Sequence, residues 1–122
     1  MERVLGIGGV FFRAREPDTL RAWYAEHLGV ELEDYGGITF WAEAGDVTVW
    51  AIFPATTEYF GAGERQAMIN YRVSDLDAML GQLRATGVNV EADVQEEEFG
   101  RFGWATDPEG NRFELWEPAL RA

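Results

Sequence analysis

The sequence predicts an α+β fold of two βαβββ units, from an internal repeat, one amphipathic helix in each half, and turn signals between short apolar runs. Phe12-Arg13-Ala14 recurs as Tyr71-Arg72-Val73, and Leu28-Gly29-Val30-Glu31-Leu32-Glu33 as Thr86-Gly87-Val88-Asn89-Val90-Glu91, at spacings of 59 and 58. Gly45-Asp46-Val47-Thr48-Val49-Trp50 parallels Gly110-Asn111-Arg112-Phe113-Glu114-Leu115 at a spacing of 65. The 122 residues therefore divide into a first unit at about 6–54, a connector at 55–66 and a second unit at about 67–117.

Each unit opens with a strand, since Ile7 to Ala14 and Ala67 to Val73 are short, rich in β-branched and aromatic residues, and bounded by punctuation. A helix follows each. In the first, Pro17 suits position N1, and Leu20, Trp23, Tyr24, His27 and Leu28 share one face; His27 is expected to pack there and not to serve as a base. In the second, Ser74 and Asp77 form a capping-box pattern, Leu76, Met79, Leu80 and Leu83 form the stripe, and Gly87 is the expected stop. Three strands are then predicted in each unit, at 30–34, 37–44 and 47–54 and at 88–94, 100–106 and 111–117. Asp107-Pro108-Glu109-Gly110-Asn111 should close a hairpin, with Ala44-Gly45-Asp46 as its counterpart, and the run Glu96-Glu97-Glu98 is expected in a solvated loop. In the connector, Tyr59 and Phe60 are costly to leave in water, so this segment should fold over something.

Composition narrows the chemistry. Hydrophobic residues make up 47% of the chain and aromatics 14%, which excludes disorder, while the lack of Cys and the single His remove thiol chemistry and any site built on two imidazoles. Ten basic against 22 acidic residues give a net charge of −12, so nucleic acid and anionic membranes are poor partners. With no signal-like start and no apolar run long enough to span a bilayer, a cytoplasmic location is expected.

The βαβββ duplication, Trp23-Tyr24 with Leu28-Gly29, Val73-Ser74-Asp75-Leu76, and the run Asp107-Pro108-Glu109-Gly110-Asn111-Arg112-Phe113-Glu114-Leu115 together resemble the vicinal oxygen chelate superfamily. That superfamily includes glyoxalase I, bleomycin-resistance proteins and extradiol dioxygenases. The resemblance implies a single glyoxalase-like domain: a cupped mixed sheet, helices outside, a ligand in the concavity, and a homodimer. It also aligns the superfamily's four metal-ligand positions with Gly9, Val49, Met68 and Glu114, of which only Glu114 can bind a divalent ion, so neither metal nor other cofactor is expected.

Strand parity with Glu114 places Arg112 and Trp116 on the same face, Phe11 and Arg13 with Gly9, and Asn70 and Arg72 with Met68. These residues would line an aromatic cup with polar anchors, favouring a planar ligand with an anionic or carbonyl group; alternatively, the arginines and Glu114 pair with one another across the junction of the units. Two functions of different class follow. One is a metal-free protein that binds a small organic molecule. The other is a lyase, isomerase or dioxygenase-type enzyme using Glu114 as base, although dioxygenase chemistry lacks its two His. A third is a structural or regulatory subunit whose cup is filled by its own side chains.

Overall fold

Among the residues that the computed structural model describes, 2, 10–34, 36–61 and 64–119, the element order is α1 (Pro17–Leu28), β1 (Asn70–Arg72), α2 (Leu76–Ala85), β2 (Asn89–Val90), β3 (Gln95–Glu97), β4 (Gly100–Thr106) and β5 (Arg112–Pro118). The strands form one mixed sheet in the order β1-β5-β4-β2, with β3 also paired to β4. β1 and β5 run parallel and the other pairs antiparallel. The α+β class is present as an open sheet with both helices on one face.

α1 starts at Pro17, as predicted, and ends at Gly29, whose φ of 69° suits a residue without Cβ and whose N–H returns to Tyr24 O. No side chain of its own caps its start; the Glu109 carboxylate, from the β4–β5 turn, accepts from Arg15 N and Glu16 N, each at 2.9 Å. α2 is capped by Asp75, which accepts from Ala78 N at 3.0 Å, so the cap lies one residue after the predicted Ser74. Its end is a Schellman motif: Gly87 N donates to Arg84 O and Val88 N to Leu83 O.

Both helices bury their stripes on the same strands. Leu76, Leu80 and Leu83 pack with Ala105, Phe113 and Leu115 in a fully buried cluster. Trp23 and Tyr24 of α1 set their rings 6.1 Å from that of Phe113. The β4–β5 turn is built on buried Asp107, whose Oδ1 accepts from Glu109 N and Asn111 N while Oδ2 accepts from Asn111 Nδ2 and the Tyr24 hydroxyl. One carboxylate thus joins the hairpin to α1, and burial together with Asp107 pushes the Tyr24 phenol far above its usual range. Residues 95–97, predicted to belong to a loop in part, pair with β4 as an exposed edge strand, where a run of like charges discourages further pairing.

The first half departs from expectation. Its predicted turn at Ala44-Gly45-Asp46 forms, with Asp46 N on Glu43 O and Gly45 at φ 95°, but residues 10–14, 30–34, 37–44 and 47–54 carry no strand ladder, and residues 7–9 of the first predicted strand lie outside the described ones. The reason lies in α1, which spends its apolar stripe on the second unit's sheet and leaves the first-half segments without a covering layer. Their apolar residues also fall on both parities, as in Phe40-Trp41 and Val49-Trp50, so neither side suits water. Phe11, Trp41 and Ile52 are accordingly 96%, 87% and 80% exposed.

Candidate functional site

β5 alternates strictly. Phe113 and Leu115 point to the helices, and Arg112, Glu114 and Trp116 therefore occupy the helix-free face. Register sets Trp104 opposite Glu114 and Phe102 opposite Trp116 on β4, with Asn70 and Arg72 opposite the same two residues on β1. Five of the seven predicted site residues thus share one face.

Glu114 is 7% exposed on this face and fully occupied. Oε1 accepts from Asn70 Nδ2 at 2.7 Å; Oε2 accepts from Trp104 Nε1 at 3.0 Å and from the Tyr59 hydroxyl. Three neutral donors on one carboxylate make charge-assisted bonds. Tyr59 comes from the connector. Its ring meets Trp104 edge-on at 6.0 Å and stacks on Phe53 at 5.4 Å, and burial plus the bond to Glu114 raise its phenol above the ordinary tyrosine range. The connector does fold over something: it folds over Glu114.

The arginines take other partners. Arg112 forms a two-pronged pair with Glu91, both bonds at 2.7 Å, donates to Tyr59 O, and lies 5.0 Å from the Trp104 ring centroid. Its guanidinium holds the Glu91 carboxyl below the usual range. Arg72 reaches past the edge of β1, where Nη1 donates to Val47 O at 2.8 Å and Nη2 stands 3.4 Å from Asp46. Neither guanidinium bonds Glu114, although the Arg112 charge is near enough to act on it, so the expected convergence of arginines is replaced by two carboxylate pairs, an outcome favoured by the twofold excess of carboxylates. Trp116 stacks on Phe102 at 6.0 Å and donates to Phe99 O, farther along the same face. Phe11 and Arg13 are exposed and are not brought to it.

The donor set does not fit a catalytic metal. Val49 is apolar and 72% exposed, Met68 offers a thioether that lies 3.9 Å from Arg112 Nη1, and both oxygens of Glu114 already accept hydrogen bonds. Gly9 lies outside the described residues, among which no group of three or more His, Cys, Asp or Glu could hold an ion.

Trp104, Phe53 and Glu91 are site neighbours that sequence parity did not single out. Trp104 could have been found only from the β4–β5 register, which the hairpin turn sets but does not by itself count out. His27, expected to pack, does so: its ring lies 5.0 Å from that of Trp23 and Nδ1 is 3.1 Å from Thr86 Oγ1, linking α1 to the end of α2.

The family model of the Glyoxalase-like domain matches residues 9–116. No curated protein matches the chain. TnmS3, an antibiotic binding protein from Streptomyces sp. CB03234, is similar over 85% of this chain and 88% of its own, at 20% identity and a TM-score of 0.53. A protein of unknown function from Agrobacterium tumefaciens str. C58 is similar over 95% of this chain and 100% of its own, at 21% identity and a TM-score of 0.56. Both are likenesses of fold. A glyoxalase/bleomycin resistance protein from Streptomyces sp. CB03234 shares 31% identity over 39% of this chain, with a TM-score of 0.37, and the match spans only 41% of that protein.

Proposed function

The chain belongs to the Glyoxalase-like domain family, and from that premise we propose that it binds a small planar organic molecule against the helix-free face of its sheet, without a metal ion. The supporting observation is Glu114, a buried carboxylate held between Trp104 and Tyr59, which gives a flat apolar body two aromatic neighbours and its polar group one fixed anchor. Fold likeness to an antibiotic binding protein supports the class of function at the level of fold. Enzymatic use of Glu114 as a base is less well supported, because its oxygens are already engaged by three donors. A second copy of the chain is a fitting partner, since Val10, Phe12, Phe40, Trp50 and Phe53 are left exposed on one chain.

Titration of tryptophan fluorescence with planar aromatic compounds tests the proposal through Trp104. Saturable binding at micromolar concentration that is lost in Glu114→Ala, with the variant still folded, is the expected result. Binding unchanged by Glu114→Ala would overturn it. Metal analysis of protein purified without chelator should find well under one tightly held ion per chain; a stoichiometric ion would overturn the metal-free part.

A further inference from the structure

We infer that Tyr59 is an internal stand-in for the ligand, so that the site selects a planar aromatic molecule carrying a hydroxyl or N–H donor, which binds by exchanging places with the Tyr59 phenol. This rests on the small-molecule function proposed above and adds the chemical class of the ligand and its mode of entry.

A free binding face would show its anchor open to solvent. Here the anchor is capped from within the chain by a complete set of contacts of the kind a ligand makes. The Tyr59 hydroxyl donates to Glu114 Oε2, its ring lies edge-on to Trp104 and flat against Phe53, and the Arg112 guanidinium stands 5.6 Å from its centroid. Gly61 brings the same segment so close that a Cβ there would stand 3.2 Å from Arg112 Cδ and 3.3 Å from its Cβ, at a φ of 91°. An open hollow of about 410 Å³ does exist between α1, α2 and β1, lined in part by Leu28, Tyr71, Met79 and Gln82, but Glu114 is not among its walls.

The polarity of the incoming group follows from what Tyr59 leaves behind. If the phenol swings away, Oε2 of a buried carboxylate keeps only the Trp104 donor, and an unsatisfied charged oxygen is expensive. Only a donor restores the bond. A carboxylate ligand would bring a second negative charge to the anchor, while the two nearby arginines already carry carboxylate partners, Arg112 on Glu91 and Arg72 on Asp46. Departure of the connector also frees Arg112 Nη1 from Tyr59 O, giving an acceptor on the ligand a partner beside the donor position. The ligand class is therefore an aromatic donor, neutral or cationic, and not the anion that converging arginines would have favoured.

Internal competition gives this inference a sign that an ordinary wall residue cannot mimic. A side chain that helps to hold a ligand weakens binding when removed; one that occupies the ligand's place strengthens it. Fluorescence titrations would compare wild type, Tyr59→Phe and Tyr59→Ala with 2-naphthol and with 2-naphthoate, each protein first shown folded by its melting curve. Tyr59→Phe keeps the ring and so guards against a folding failure in the Ala variant. The expected result is tighter 2-naphthol binding by about tenfold to a hundredfold in Tyr59→Phe, the scale of a lost hydrogen bond to a charged group, and by at least as much in Tyr59→Ala, with 2-naphthoate weak throughout. In wild type, saturation with 2-naphthol should also speed amide hydrogen exchange at residues 57–61, the reverse of ordinary ligand protection. Weaker or unchanged 2-naphthol binding in both variants, or a preference for 2-naphthoate, would overturn the inference and leave the binding function standing. Failure of both probes to bind any of the three proteins would overturn both.

Discussion

Of the three donors that Glu114 holds, Trp104 is buried and Tyr59 half-buried, so its stability value lies mainly in what its removal would strand. In Glu114→Ala the indole N–H of Trp104, itself only 3% exposed, loses its acceptor, and a loss of about 1–3 kcal/mol is expected from urea unfolding. Glu114→Gln should lose less, because the amide oxygen still accepts one bond. The Glu91–Arg112 pair gives a pH signature. Its bonds to Arg112 lower the Glu91 pKa in the folded protein, so its contribution is present above the unfolded carboxyl value and fades as pH falls through the folded one. Wild type should exceed Glu91→Gln in stability at pH 7, and the gap should begin to narrow as pH falls below about 4; a gap that does not narrow as the pH is lowered further would contradict the assignment. Because Glu91 is 40% exposed, solvent and salt should narrow the gap as well.

The helices and the second half's hairpin were readable because their signals are local: Pro17 and Gly29 bound one helix, Gly87 ends the other, and Asp107-Pro108-Glu109-Gly110 closes the hairpin. Parity from Glu114 then placed Asn70, Arg72, Arg112 and Trp116 on one face without any knowledge of the neighbours. What periodicity could not reveal was partnership. Ladder formation at 30–54 and the choice of Glu91 and Asp46 by the two arginines depend on contacts distant in sequence, which alternation of residue types does not encode. Gly103 shows the same limit. A Cβ there would stand 3.1 Å from Leu80 Cδ1, so the bare backbone sets the distance between β4 and α2, which no local pattern announces. Gly103→Ala should cost about 1–3 kcal/mol by overpacking and lower the melting temperature, and Leu80→Val in the same chain should recover part of that loss.

Seen as one body, the chain is apolar where it is unpaired and acidic nearly everywhere else. Large apolar side chains concentrate their exposure between residues 10 and 53, while the net charge of −12 opposes close approach of two copies. Association is therefore expected to be driven by apolar surface and restrained by charge: light scattering at micromolar concentration should report a dimer whose dissociation constant falls as salt is raised from about 0.01 to about 0.15 M. A monomer of 13.8 kDa at every salt concentration would contradict this. The docking of α1 on Phe113 also has a consequence in time. A ribosome delivers α1 early, but the strand on which Trp23 and Tyr24 rest, and the Asp107 that receives the Tyr24 hydroxyl, come 83 residues or more after Tyr24 in the chain. Until they emerge, the nascent helix has no surface to settle on, so α1 must wait for β5 before it can dock. A ribosome stalled just short of β5 would hold a chain in which helix and sheet alike are still exposed to chaperones and proteases.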